Sequence, residues 1–192
     1  MNTTTGPDKR HYLVFTGHRI DMPDRATPRF PQRIENQVAQ LITRTVQQEL
    51  DRWGKQSLRA ISSGANGGDI LFLEACATLG IAADIYLALE QPAFCRASVA
   101  EGGDEWARRF EWLCATCPVH ILAEDTDTAL NVWQRTNHWM LETALSHPGS
   151  SLTVMALWDG DEGDGQGGTR DMVDRARAAG ASTVRIDPTE LL

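Results

Sequence analysis

Apolar residues along this chain alternate between two patterns, short runs of β-type residues and longer stretches with helical spacing. His11 to Thr16 (HYLVFT) is a predicted strand ending at Gly17, and Leu58 to Ser62, Ala83 to Leu89, Val119 to Leu122, Ser151 to Trp158 and Ser182 to Ile186 are the others. Between the first two, Ile34, Val38, Leu41, Ile42, Val46 and Trp53 recur at helical spacing. Further helices are predicted over Asp69 to Leu79, Asp104 to Ala115, Thr128 to Leu145 and Thr169 to Ala179, with Gly80 and Gly180 as stops. Ser151 to Trp158 (SLTVMALW) is apolar on both faces, as in a strand covered on both sides. Crossovers of this length build βαβ units, not hairpins. The predicted fold is α/β: a Rossmann-like, doubly wound, mostly parallel sheet of about six strands with helices on both faces.

The length of 192 residues fits one domain over residues 11–192, after a polar tail at residues 1–10. The longest apolar stretch is too short to span a bilayer, and the N-terminus has no apolar h-region, so a cytoplasmic protein without membrane contact is expected. A net charge of −8 argues against general nucleic-acid binding. Of the 18 basic residues only Lys9 and Lys55 are lysines, which leaves 16 arginines. Arg19, Arg25, Arg29 and Arg33 crowd one segment beside Asp21 and Asp24, a local anion-binding signal in an acidic chain. The four cysteines are expected to be reduced and buried. Cys114 and Cys117 form a single C-x-x-C without a companion pair, so neither a metal nor any other cofactor is expected.

Ligands of open parallel sheets bind beyond the carboxyl ends of the strands. Three glycine-rich turns follow predicted strands: Thr16-Gly17-His18-Arg19, Ser63-Gly64-Ala65-Asn66-Gly67-Gly68, and the loop from Asp159 to Gly167-Gly168-Thr169. The second and third open helices, where free N–H groups and the helix dipole favour a phosphate. The expected ligand-binding residues are therefore Gly17, His18, Arg19, Ser63, Gly64, Asn66, Gly67, Asp69, Arg135, Asp159, Gly167, Gly168 and Thr169. His18 has two readings, donor to a phosphate or anchor of its own loop, and Thr169 is either a phosphate donor or a helix cap. Asp159 is expected near a ribose, and Asp161, Glu162 and Asp164 in solvent. On the helix before the last apolar strand, Arg135 and Asn137 lie about 200° apart, so both cannot face one ligand. Arg135 is assigned to the ligand and Asn137 to structure. Trp133, Trp139 and Trp158 are either base-stacking surfaces or core.

The motifs FTGHRID, SSGANGGDILFLEA, the R-T-N of Arg135 to Asn137, and ALWDG followed by GGTRDMVDRA resemble, in that order and spacing, the SLOG superfamily named for the Smf/DprA and Lonely Guy proteins. The resemblance spans nearly the whole chain and implies a Rossmannoid fold with a nucleotide-derived ligand. Some relatives hydrolyse nucleoside 5′-monophosphates to base and ribose 5-phosphate; others are sensors of nucleotide signals, often joined to effectors in bacterial conflict systems. The enzymes carry an Arg, matched here by Arg135, and a Glu three residues after the Thr of the glycine loop. Met172 stands at that place, and Asp171 is one position early. The resemblance thus implies a sensor or regulatory domain for an ADP-ribose-like, cyclic-nucleotide or nucleoside-phosphate ligand, acting as a homo-dimer or larger oligomer or through an effector. The alternative is a phosphoribohydrolase using Arg135 with Asp171, or Glu142, as catalytic residues.

Overall fold

The computed structural model describes residues 10–123, 129–161 and 167–192. Among these, six strands form one sheet: β1 (His11–Gly17), β2 (Leu58–Ser62), β3 (Ala83–Leu87), β4 (Val119–Ile121), β5 (Ser151–Leu157) and β6 (Ser182–Ile186). Their order is β4-β3-β2-β1-β5-β6, and every pairing is parallel. The chain starts in the middle at β1, winds outward to β4, then returns to the other side of β1. The winding reverses between β1 and β5, which pair along their full length from His11↔Ser151 to Gly17↔Leu157. A crevice opens at the carboxyl ends of two such strands, because their connections leave in opposite directions.

The helices are α1 (Glu35–Trp53), α2 (Gly68–Leu79), α3 (Gln91–Ser98), α4 (Asp104–Thr116), α5 (Val132–Leu145) and α6 (Thr169–Ala178). Leu13 and Phe15 of β1 pack with Val38, Ile42 and Val46 of α1 and with the apolar side of α2. Tyr12 and Val14, facing the other way, pack with Met140, Leu141 and Ala144 of α5 and Met172 and Ala176 of α6. Alternation along one strand thus feeds two cores. Arg109 of α4 ties three helices, donating to Glu74 of α2 at 2.7 and 2.6 Å and to Glu35 of α1 at 2.7 Å while lying 4.1 Å over the Trp106 ring. No helix of the described residues is long and apolar enough to cross a membrane.

Two details differ from the sequence expectation. Five helices were expected, but α3 adds a sixth directly after β3, with Pro92 in its first turn. Proline is tolerated there because the first helical N–H groups have no internal partner. The expected start of α5 at Thr128 lies outside the described residues; the helix begins at Val132, where Asn131 and Gln134 form a reciprocal capping box. Residues 1–9 of the expected polar tail are also outside the described residues.

The β2–α2 turn is pressed against the β1–α1 loop at Gly67, which has φ +84°. A Cβ there would stand 2.7 Å from Ile20 N and 2.8 Å from His18 O, both main-chain atoms that cannot swing aside. Gly67→Ala is therefore predicted to cost about 2–4 kcal/mol, lowering the melting temperature by roughly 5–10 °C. Gly54→Ala meets nothing within 4 Å and bears only the positive-φ strain, which Gly67 shares, so its loss is predicted to be the smaller. Thermal unfolding of the two variants checks the difference, and equal losses would contradict the close-packed junction.

Candidate functional site

A cavity of about 340 Å³ lies beyond the carboxyl ends of the central strands. The end of β1 supplies Thr16, Gly17, His18 and Arg19; the β2–α2 turn supplies Ser63, Ala65 and Asp69; the start of α6 supplies Gly167, Gly168, Thr169 and Arg170. Phe94 and Ser98 of α3 and Trp133, Thr136 and Asn137 of α5 close the sides, with Arg29 and Trp158. The volume is at the small end of the ~300–1,000 Å³ typical of small-molecule sites. Among the described residues, three arginines (Arg19, Arg29 and Arg170) and one acidic residue (Asp69) line it, in a protein of net charge −8.

Of the expected ligand-binding residues, Gly17, His18, Arg19, Ser63, Asp69, Gly167, Gly168 and Thr169 line this cavity. The others are spent on its frame. Asn66 is buried, accepting from Ile20 N–H at 3.1 Å and donating from Nδ2 to Val99 O at 3.2 Å, while its own N–H donates to Ser98 O at 2.9 Å. Gly64 faces Phe110 and Ile85, and Gly67 the β1–α1 loop. Asp159 turns its carboxylate to the Asp161 N–H at 3.0 Å. Glu162 and Asp164 lie outside the described residues.

Of Arg135 and Asn137, which helical spacing sets on different sides of α5, only Asn137 lines the cavity. Arg135 is not among the lining residues, and its Nη2 donates to Ala123 O at 2.8 Å. Asn137 is buried against the cavity, donating from Nδ2 to Gly167 O at 2.9 Å, which fixes the loop that opens α6. The reason is the sheet: α5 buries Thr136, Asn137, Met140, Leu141 and Ala144, and that stripe cannot include position 135. Asp171 does not line the cavity either; its carboxylate accepts from Arg175 Nε at 2.8 Å and lies 3.4 Å from Asn137 Nδ2. Glu142 is exposed and away from the cavity.

His18 lines the cavity, and its Nε2 accepts from the Asp159 N–H at 3.2 Å, a contact that anchors the loop. Gly168 holds the N-cap position of α6 without a side-chain bond, so Thr169 is the first helical residue and is not the cap. Arg19 reaches along the rim, paired with Glu101 and donating from Nη1 to Ala97 O at 3.4 Å. Asp69 sits in the first turn of α2, 5 % exposed, accepting from Ser63 Oγ at 2.5 Å and from Ala65 N–H at 3.3 Å. Burial pushes its carboxyl up from 3.8 to about 6, against the opposing pull of the Ser63, Ala65 and Gly64 hydrogen bonds and of Arg19. Arg29 and Ser98 had no sequence signal beyond the local arginine cluster, and Phe94 lay in the helix that sequence reading missed.

No protein-family model matches the chain, and no curated protein matches it. Among solved structures it is similar to TM1055, a structural-genomics target, with 15% identity and a TM-score of 0.46 over 90% of this chain and 71% of that one. It is also similar to DNA processing protein A (DprA) from Streptococcus pneumoniae, with 15% identity and a TM-score of 0.33 over 92% of this chain and 59% of that one. At this distance the functional reading stands on the cavity itself.

Proposed function

We propose that the chain is a SLOG-type recognition domain for a nucleotide-derived, phosphate-bearing ligand, acting as a sensor whose occupancy is passed to a second copy or an effector. The observation that carries this reading is the cavity at the β1/β5 reversal, where the opening turn of α6 meets three arginines and aromatic side chains. Backbone N–H groups at Gly168 and Thr169 and the positive end of α6 suit a phosphoryl group. Arg19, Arg29 and Arg170 supply charge, and Trp133 offers an aromatic face for a base. Recognition is favoured over turnover because Asp171, the carboxylate that the family resemblance would use, is held by Arg175 away from the cavity.

One observation favours a second reading, hydrolysis of a nucleoside 5′-monophosphate to base and ribose 5-phosphate. Asp69 is a carboxyl on the cavity wall raised to about 6, able to carry a proton near neutral pH and give it to a departing base. In this reading Asp69 replaces Asp171 as the acid.

Calorimetry against ADP-ribose, cyclic ADP-ribose isomers, cyclic dinucleotides and nucleoside monophosphates tests the first reading. Saturable binding of at least one is expected, weakened about tenfold or more by Arg19→Ala, or roughly 1.4 kcal/mol. Folded protein that binds none of them contradicts it. Release of free base, abolished in Asp69→Asn, would replace it with the second.

The raised Asp69 carboxyl also predicts a pH dependence of stability. The native state keeps this proton up to about pH 6, whereas the unfolded chain releases it near 3.8. Below the lower value both states are protonated and burial carries no charge penalty. Between the two the native state holds more protons, so stability is lost as pH rises, by up to about 3 kcal/mol. Denaturant unfolding of the wild type and Asp69→Asn should show the variant gaining relative stability from pH 4 to pH 6. A difference that stays flat would contradict the assignment.

A further inference from the structure

Trp158 belongs to the wall of a second cavity as well, a groove of about 360 Å³ between α6 and the edge strand β6. Sheet geometry explains its composition. Val184 and Ile186 of β6 pack into the core on the α1 side, so Thr183 and Arg185 point to the α6 side. There they meet Val173 and Arg177 of α6 in one groove, with Trp158, Gly160 and Val184 completing the lining.

Two arginines from different elements, Arg177 and Arg185, line the groove, and no Asp or Glu among the described residues does. Arg185 is held in place: its Nη1 donates to Asp159 O at 3.3 Å, and its Nη2 lies 3.4 Å from Asp187 Oδ2. Gly160 makes room for it, since a Cβ there would stand 2.6 Å from Arg185 Nη1. Arg177 is only loosely balanced. Its Nη1 is 3.9 Å from Asp174, and the same carboxylate also pairs with Arg170 at 3.5 Å. Thr183 adds a hydroxyl-bearing residue to the same lining, and Trp158 and Val173 add apolar ones.

We propose that this groove is a second oxyanion site, taking a phosphoryl group between Arg177 and Arg185 independently of the first cavity. Guanidinium forks from a helix and a strand suit a tetrahedral group, whose several oxygens can be gripped from two directions; a single carboxylate satisfies one fork. The site does not depend on the proposed function of the first cavity, and its test separates the two.

The full chain, labelled with nitrogen-15, is titrated with inorganic phosphate at fixed ionic strength. The arginine Nε–Hε signals of Arg177 and Arg185 and the indole signal of Trp158 are followed by NMR. Saturable shifts of both arginines with one shared dissociation constant are expected, unchanged in Arg19→Ala and weakened fivefold or more in Arg177→Gln. Acetate at equal ionic strength should give no saturation. The proposal is overturned if phosphate shifts are linear and matched by acetate, which is screening alone. It is also overturned if they disappear in Arg19→Ala, which places the anion in the first cavity, or if Arg177→Gln leaves the Arg185 titration unchanged.

Discussion

The site depends on one junction, the docking of the β1–α1 loop onto the turn that opens α2. Asn66 is its pin: three hydrogen bonds from one buried residue join Ile20, Ser98 and Val99, drawing together segments from β1, β2 and α3. Gly68 N–H adds a bond to His18 O at 3.1 Å, and Gly67 lets the two backbones touch. Each buried polar group left without its partner would cost about 1–3 kcal/mol, so these bonds favour the docked arrangement. With it in place, His18, Arg19, Ser63 and Asp69 converge on a single cavity.

The same junction sets the electrostatics. Glycine turns and helix starts bring dipoles and arginines to one edge of a sheet in a protein whose overall charge is −8. Asp69, buried and bonded to its own turn, is the one carboxylate that the described residues present to the cavity. Its partial neutralisation by burial reduces the repulsion an anionic ligand would meet. Arg19 is partly compensated at the rim by Glu101, a half-exposed pair of the kind worth about 1 kcal/mol or less, so it can turn inward at little cost.

Much of this architecture was legible in the residues. The doubly apolar run at Ser151 to Trp158 marked a strand covered on both faces, and the crossover lengths fixed a parallel sheet. The glycine turns marked the edge where a cavity opens. What glycine alone could not reveal was its purpose at each place: Gly67 serves a loop–loop contact, Gly167 lets its loop touch the start of α5 while lining the cavity, and Gly168 lines the cavity. Asn66 carried the same ambiguity, since an asparagine in a turn suits a ligand and a loop pin equally well. Helical periodicity separated Arg135 from Asn137, and charge favoured arginine for the ligand. Which of the two lines the cavity is set by burial, because the stripe of α5 that faces the sheet contains Asn137, and spacing alone carries no absolute phase. The short α3 was hidden by Pro92, which reads as a breaker until its place in a first helical turn is known.

The central claim is that the cavity at the β1/β5 reversal holds the phosphate of a nucleotide-derived ligand. A crystal structure with ADP-ribose bound tests it most directly. The account predicts a phosphoryl oxygen within hydrogen-bonding distance of the Gly168 or Thr169 N–H and of the Arg19 guanidinium, with Asn137 still bonded to Gly167 and no contact to Arg135. A ligand seated on the outer face of α5 against Arg135, with the cavity empty, would contradict it.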